Sequence, residues 1–489
     1  MNVNRLKEIL RTVALHQYAI LFTLILILSF GLRLYDLSDE SLWLDEVATV
    51  DIASKPIHAI VLYSLSSDTH PPLYYILLHY WMFAFGESEF SLRFLSLLFG
   101  MGAVILMYQY CKLHYSQKTG IVASFLLGIS LIHIEYSQEA RMYTLATFLT
   151  LLSFLSYMNV LKHATGRAIL GYLLSTILMI YAHLFGIFML IAQSLHYLYL
   201  YISRKQGDLP LRQWIIINCV IAIVVSLWLY PASGFLFDFA HHFWISRPAP
   251  SILASTIVSY TRSMITSIVL IFFAAFSFAR VKPKTPPIDK SPGLRFPNGA
   301  DMAVLDKNFV ALLWFALPFL LPFFLSFFFS PLFFRRYTIM ASVGLYLLAA
   351  VGLGSLKKNL FRLAMLGVIL LTSSYALVDY YTTYQKEPWR EAAHLIDSKA
   401  LTGDLVLYHL GYTRQAYAYY GERVDIAHES FPNTTLDMTK DKLGDLDKII
   451  DDNAGVWLVL SHARDPDNLI EAFLASRYEY REEKERCFI

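Results

Sequence analysis

Long apolar runs alternate with short polar turns along most of this chain. The runs cover about 17–35, 92–111, 119–134, 142–161, 168–182, 184–202, 213–231, 262–280, 308–329, 338–356 and 361–380. Such runs suit helices that cross about 30 Å of hydrocarbon, and they predict about eleven spans. A further run, Pro72 to Phe85, is apolar and aromatic but short. Runs of about 10–14 residues read as interfacial or re-entrant rather than spanning. The first run, Tyr18 to Leu34, follows Arg5, Lys7 and Arg11 but is longer than a signal-peptide core and leads to no A-x-A site, so it reads as an uncleaved span.

Charge orients these spans. With 72–85 lying on the membrane, one face collects Arg5, Lys7, Arg11, Lys112, Lys118, Lys162, Arg167, Arg204, Lys205, Arg212, the 280–307 stretch, Lys357, Lys358 and Arg362. The other face holds Lys55, Arg141, Arg247, Arg262, Arg335 and Arg336. The positive-inside rule then puts the N-terminus in the cytoplasm and the 36–91 loop outside. Counting 72–85 as a span would invert every later loop and erase the asymmetry. A Pro-rich stretch (KPKTPP, SPG, FPNG) makes 281–307 a cytoplasmic linker. Beyond Tyr381 the apolar blocks stop. Helical segments (Trp389–Lys399, Asp437–Asp451) then alternate with strand-like ones (Asp404–Tyr408, Gly455–Leu460), which predicts a small extracytoplasmic α/β domain. The expected organisation is an all-α polytopic membrane module over 1–380 and a soluble α/β domain over 381–489.

Composition agrees. Of 489 residues, 56% are hydrophobic and 16% charged, where a soluble domain carries about a quarter charged. A net charge of +2 without a basic arm gives no reason to expect nucleic acid. Cys111, Cys219 and Cys487 are far apart, which argues against a zinc site or a disulfide framework. Gly352 and Gly354 lie inside a span, so no nucleotide-binding glycine loop is present there.

The unusual polar residues gather on the predicted outer face. Asp45 and Glu46 sit in Trp43-Leu44-Asp45-Glu46, on an expected interfacial helix. Asp68 and His70 open the stretch Asp68-Thr69-His70-Pro71-Pro72-Leu73-Tyr74-Tyr75. Glu139 and Arg141 lie in the turn Tyr136-Ser137-Gln138-Glu139-Ala140-Arg141-Met142-Tyr143. His183 and Arg335-Arg336-Tyr337 mark two further turns. Ionisable groups at span ends pair, snorkel or serve function. Each also has a plain reading: Asp45-Glu46 as a solvated surface, His70-Pro71-Pro72 as a helix start, Arg335-Arg336 as interfacial anchors, and His183 as a satisfied interfacial histidine.

Together these motifs resemble the GT-C glycosyltransferases of the protein mannosyltransferase and aminoarabinose-transferase (ArnT-like) family. The matching motifs fall in roughly the first 200 residues, with an echo in 335–353. The resemblance implies a multispan enzyme with juxtamembrane helices in the first outer loop, taking a sugar from a polyprenyl-phosphate donor on the extracytoplasmic face. It implies that Asp45 is the catalytic base, with Glu46 beside it. Aminoarabinose transferases have Glu-Lys before their Pro-Pro pair, whereas this chain has Thr69-His70, which leaves open both the sugar and any divalent metal site. Asp68, His70, Tyr74, Glu139, Arg141, His183, Arg335, Arg336 and Tyr337 are the expected substrate-binding set.

The expected chemistry is a single displacement that inverts the anomeric carbon. Asp45 takes the proton of the acceptor, which is a cell-envelope glycan, lipid or protein. Arginines hold the departing phosphate, and no second acid is needed, unlike in a glycosidase. A transporter, with polar breaks near the bilayer midplane, or a lipid-linked polysaccharide polymerase or ligase are the alternatives.

Overall fold

The structure, a computed structural model, describes residues 3–205, 207–241, 247–279, 304–383, 386–432, 438–451, 453–461, 465 and 467–478. In chain order the helices begin with α1 (Val3–Leu34), α2 (Leu44–Ser54), α3 (Ile57–Ser66), α4 (Leu73–Phe85) and α5 (Glu89–His114). They continue with α6 (Gln117–Gly128), α7 (Leu131–Glu135), α8 (Tyr143–Lys162), α9 (Gly166–Ala182), α10 (Gly186–Ile202) and α11 (Leu211–His241). Next come α12 (Ser251–Thr261), α13 (Met264–Ala279), α14 (Val304–Phe328), α15 (Ile339–Gly354) and α16 (Asn359–Thr383). The chain closes with α17 (Trp389–Lys399), β1 (Leu405–His409), α18 (Arg414–Tyr420), β2 (Ala427–Ser430), α19 (Leu443–Ile450), β3 (Val456–Leu460) and α20 (Leu469–Ala475). The chain divides into two compact units, Met1–Leu37 with Lys55–Thr383, and Ser38–Ser54 with Tyr384–Ile489.

In the first unit each predicted apolar run is helical, but fewer helices than expected are long enough to span. Among the described residues, seven are long and apolar enough to cross a membrane, or eight if α12 and α13, bent by 100°, count as one. The remaining predicted runs form helices that are shorter or broken. The run 119–134 is broken between α6 and α7, α9 and α10 have 17 residues each, and α13 has 16. Helix α4 has 13 residues, which at 1.5 Å per residue covers only about 20 Å, as its reading as a non-spanning segment requires. Of the expected linker 281–307, residues 281–303 lie outside the described set, and 304–307 begin α14.

Two devices shape this unit. The first is α15, buried along almost its whole length. Its glycines admit neighbouring backbones. A Cβ on Gly344 would lie 2.8 Å from the Ala311 carbonyl oxygen of α14, and one on Gly352 would lie 2.0 Å from the Phe273 carbonyl oxygen of α13. Small residues at such crossings are how membrane helices approach closely. The second is Arg33, fully buried on α1. Its Nη1 donates to the Gly128 carbonyl (2.8 Å), the Ser29 carbonyl (3.1 Å) and Ser29 Oγ (2.7 Å). Nη2 donates to the Leu127 carbonyl (3.4 Å) and Nε to Ser137 Oγ (3.1 Å). The end of α6 leaves carbonyls without intrahelical partners, and this guanidinium satisfies two of them.

The second unit is a small α/β layer structure. Its parallel sheet runs β2-β1-β3. The central strand β1 is buried throughout, as a strand covered on both faces should be. Leu405 and Leu407 pack with Leu446, Ile450, Ile470 and Leu474, while Val406 and Tyr408 pack with Ala393, Ile396 and Tyr417. Alternate side chains thus serve opposite faces. Helix α17 and strands β1 and β3 lie where the pattern predicts. The expected helix 437–451 shortens to α19 after a 3-10 turn at Lys440–Lys442, with residue 437 outside the described set. Strand β2 has no apolar alternation to announce it, because it is a half-exposed edge.

Gly352→Ala is expected to destabilise the protein by about 1–3 kcal/mol, because the obstructing atom is backbone and cannot rotate away. Gly171→Ala, where nothing lies within 4 Å, serves as the control. Thermal unfolding of both variants in lipid nanodiscs measures the difference.

Candidate functional site

In the first unit the loop between α3 and α4 carries an acid whose oxygens are all engaged. Asp68 Oδ1 accepts from the His70 backbone N–H (3.2 Å) and pairs with His70 Nδ1 (2.9 Å), while Oδ2 accepts from Tyr75 Oη (2.5 Å). The backbone bond closes an Asx-turn, which an Asp two residues before the donating N–H favours. Pro72 follows at the N-cap of α4, and Gly86, at φ +80, ends that helix. Burial pushes the Asp68 carboxyl up, but the His70 charge and hydrogen bond, the Tyr75 hydroxyl and the Arg141 charge outweigh it and hold the group below its ordinary value. Asp68 is therefore ionised at neutral pH.

The loop between α9 and α10 supplies His183 in the opposite state. Its Nδ1 accepts the Phe185 backbone N–H (3.1 Å), so the ring proton resides on Nε2. That Nε2 is buried and has no hydrogen-bond partner. Burial first, then the charges of His70, Arg141 and Arg336, push His183 well below its usual value, so it stays a neutral donor. The His183 ring lies 5.9 Å from that of His70 and 5.2 Å from that of Tyr337, which the 3-10 turn Arg335–Thr338 places.

His70, His183 and Tyr337, but not Asp68, line a cavity of about 310 Å³. Thr69, His70, His183 and Tyr337 make the polar end, and Phe185, Phe188, Leu236 and Leu332 are prominent in the apolar wall. The volume falls in the range of small-molecule sites. The arrangement suits an amphiphile whose polar group meets a neutral N–H donor and nearby fixed positive charge. Among the described residues, no three His, Cys, Asp or Glu side chains are arranged to hold a metal ion.

The remaining predicted residues of this unit take distinct places. Arg141 is buried, and its carbonyl accepts from Ser96 Oγ (3.2 Å), which is hydrogen-bonded to Tyr74 Oη (2.8 Å). Tyr74 is thus fully buried behind Arg141 and is not among the residues lining the cavity. Glu139 is buried in the same turn, where burial and its charge raise the Tyr136 phenol. Arg336 lies over the rings of Tyr143 (6.0 Å) and Phe334 (5.0 Å), whereas Arg335 is exposed. Sequence reasoning left out Tyr75, Tyr143 and Arg33. The first two lay inside the quoted motifs, and Arg33 carried its own signal as an arginine within an apolar run.

In the second unit Asp45 and Glu46 occupy the first turn of α2, where the helix dipole favours carboxylates. Asp45 is half-buried. Glu46 is fully buried, and its Oε2 accepts from the Trp43 backbone N–H (3.4 Å), the reach of a capping box, and from Lys386 Nζ (3.3 Å). Adjacent in sequence, the two acids differ in environment.

Asp68 titrates with a definite sign. Because the Asp68 value is depressed, its contribution to stability is full above the ordinary carboxylate range and is lost as pH falls through the lower folded value. His70→Ala removes the main opposition to burial, so Asp68 is expected to titrate upward. Carboxyl infrared difference spectra against pH, assigned with Asp68→Asn, measure the shift.

Residues 69–237 match the family model for dolichyl-phosphate-mannose-protein mannosyltransferase. No curated protein matches the chain by sequence. Among solved structures, ArnT from Cupriavidus metallidurans in the apo state superposes with a TM-score of 0.55 at 14% identity, covering 84% of this chain and 87% of that one. The same protein bound to undecaprenyl phosphate gives 0.53 at 12%, with 88% of each chain covered. The Archaeoglobus fulgidus oligosaccharyltransferase, in complex with Zn and sulfate, gives 0.55 at 12%, covering 84% of this chain and 62% of its own. An integral membrane protein is thus in view, one with the GT-C glycosyltransferase fold that its motifs resemble, and with the mannosyltransferase signature over residues 69–237.

Proposed function

We propose that this protein is a membrane glycosyltransferase that moves a sugar from a polyprenyl-phosphate carrier to an acceptor hydroxyl or phosphate of the cell envelope. The observation that carries this reading is the cavity in the first unit, apolar along its wall and closed at one end by His70, His183 and Tyr337. A polyprenyl phosphate has that division of character. The ArnT neighbour binds undecaprenyl phosphate, and Thr69, His70, Tyr74, Glu139, Arg141 and His183 lie within residues 69–237, which match the family model.

Chemically, the carrier phosphate is the leaving group and gains negative charge as the anomeric bond breaks. Arg141 and Arg336 supply fixed positive charge, and the neutral His183 Nε2–H donates a hydrogen bond without competing for a proton. His70, held by Asp68, lines one side of the pocket and contacts the sugar. The acceptor attacks in line, giving inversion, and Asp45 takes its proton. That assignment comes from the motif around Asp45. The N-terminus is cytoplasmic, and transfer occurs on the opposite face of the plasma membrane, as the lysine and arginine asymmetry supports.

In reconstituted membranes with a radiolabelled polyprenyl-phosphate hexose, wild-type protein is expected to label an envelope acceptor covalently. Uptake or flipping of the lipid with no covalent product would overturn the reading. Asp45→Asn is expected to abolish transfer while leaving donor binding nearly intact. His183→Phe is expected to raise the donor KM by roughly tenfold, the loss of one hydrogen bond to a charged group.

A further inference from the structure

Residues beyond Tyr384 take no direct part in the chemistry above, yet within the second unit the first described of them close around the segment that bears Asp45. Glu387 Oε2 accepts from Trp389 Nε1 (2.5 Å) and from the Leu44 backbone N–H (3.3 Å), the residue immediately before Asp45. The Glu387 carbonyl accepts from Ser41 Oγ (2.7 Å). Lys386 Nζ meets Glu46, immediately after Asp45, and the Lys386 backbone N–H donates to Glu40 Oε1 (3.2 Å). Arg390 Nη2 donates to the Asp39 carbonyl (2.6 Å), and the Leu42 N–H donates to Tyr420 Oη (2.6 Å). The Lys386 and Glu46 side chains are 4% and 0% exposed, so this pair is shielded from water.

The distribution of these contacts is informative. Domain packing alone needs apolar area, but here charged groups meet the chain on both sides of one carboxylate. Leu44 N–H is one of the donors left open at a helix start, and Glu387 caps it from 343 residues away in sequence. Glu46 caps the same turn from within, and Lys386 compensates its buried charge. The turn is thereby held from both directions.

We propose that Lys386 and Glu387 are positioning residues for Asp45, through which the 386–390 segment sets the orientation of the first turn of α2. This rests on Asp45 being the base. A general base must sit within hydrogen-bond reach of the attacking hydroxyl, and a misplacement of about 1 Å can cost on the order of a hundredfold in rate.

The test uses the full-length chain in nanodiscs with a polyprenyl-phosphate hexose donor. Glu387→Ala is expected to lower kcat by about tenfold to a hundredfold with donor KM unchanged. Lys386→Met leaves a buried carboxylate uncompensated and threatens folding. The double variant Lys386→Met/Glu46→Gln removes both charges, so it is expected to melt near wild type while keeping the low kcat. Lys386→Arg is expected to retain kcat. Wild-type kcat in Glu387→Ala and in the double variant overturns the proposal, as does a loss that only follows the folded fraction. Asp45→Asn in the same assay separates the two ideas. Full activity there removes Asp45 from the reaction, whereas inactivity there with a fully active Glu387→Ala removes only the positioning role.

Discussion

A guanidinium buried in the helical bundle imposes order on the first unit, because an arginine cannot shed its proton and must find acceptors for its donors. Arg33 finds them at the broken end of α6, on its own helix and at Ser137. This couples α1 to the turn that carries Glu139 and Arg141. Gln138 extends the tie, donating to the Arg33 and Tyr35 carbonyls and accepting from Tyr380 of α16. Room for the arrangement depends on Gly100 of α5, where a Cβ would stand 2.3 Å from Ser137 Oγ. Glu135, at the end of α7, is paired with Arg262 at the left-handed bend between α12 and α13.

On this frame the polar end of the cavity is defined by protonation states as much as by shape. Asp68 stays charged because the side-chain hydrogen bonds from His70 and Tyr75 and the Arg141 charge help overcome burial, while His183 stays neutral because burial and the Arg141 and Arg336 charges act together. A neutral imidazole therefore meets Tyr337 and His70, itself held by the charged Asp68, in the lining of an apolar chamber. A neutral donor in a low-dielectric site stabilises developing negative charge without a proton of uncertain ownership.

The second unit shows how environment separates two neighbouring acids. Glu46 closes a cap and a buried ion pair, so its carboxylate is committed to holding the turn. Asp45, one position earlier and half-buried, is the residue the motif assigns to chemistry. Glu46 owes its buried ion pair to Lys386, in the 386–390 segment.

Much of the fold was legible in the chain because hydrophobic length and periodicity are local properties. The apolar runs became helices, 72–85 became a helix too short to span, and β1 and β3 formed where apolar runs were bounded by turn residues. Asp68, His70, His183 and Tyr337 were legible as candidates, because each is a polar group set beside an apolar run. Other features were decided by the tertiary structure. The break at Gly128–Ser130 depends on Arg33 from another helix, and the tautomer of His183 depends on a backbone N–H and on burial. The place of Tyr74 behind Arg141 depends on Ser96, and β2 pairs as an edge without any apolar signal. The difference between Asp45 and Glu46 depends on Lys386, 340 positions beyond Glu46. Sequence by itself determined where helices and polar groups occur, because these follow from neighbouring residues. Tertiary structure decided which polar groups are satisfied and which face a cavity, because desolvation and pairing depend on partners distant along the chain.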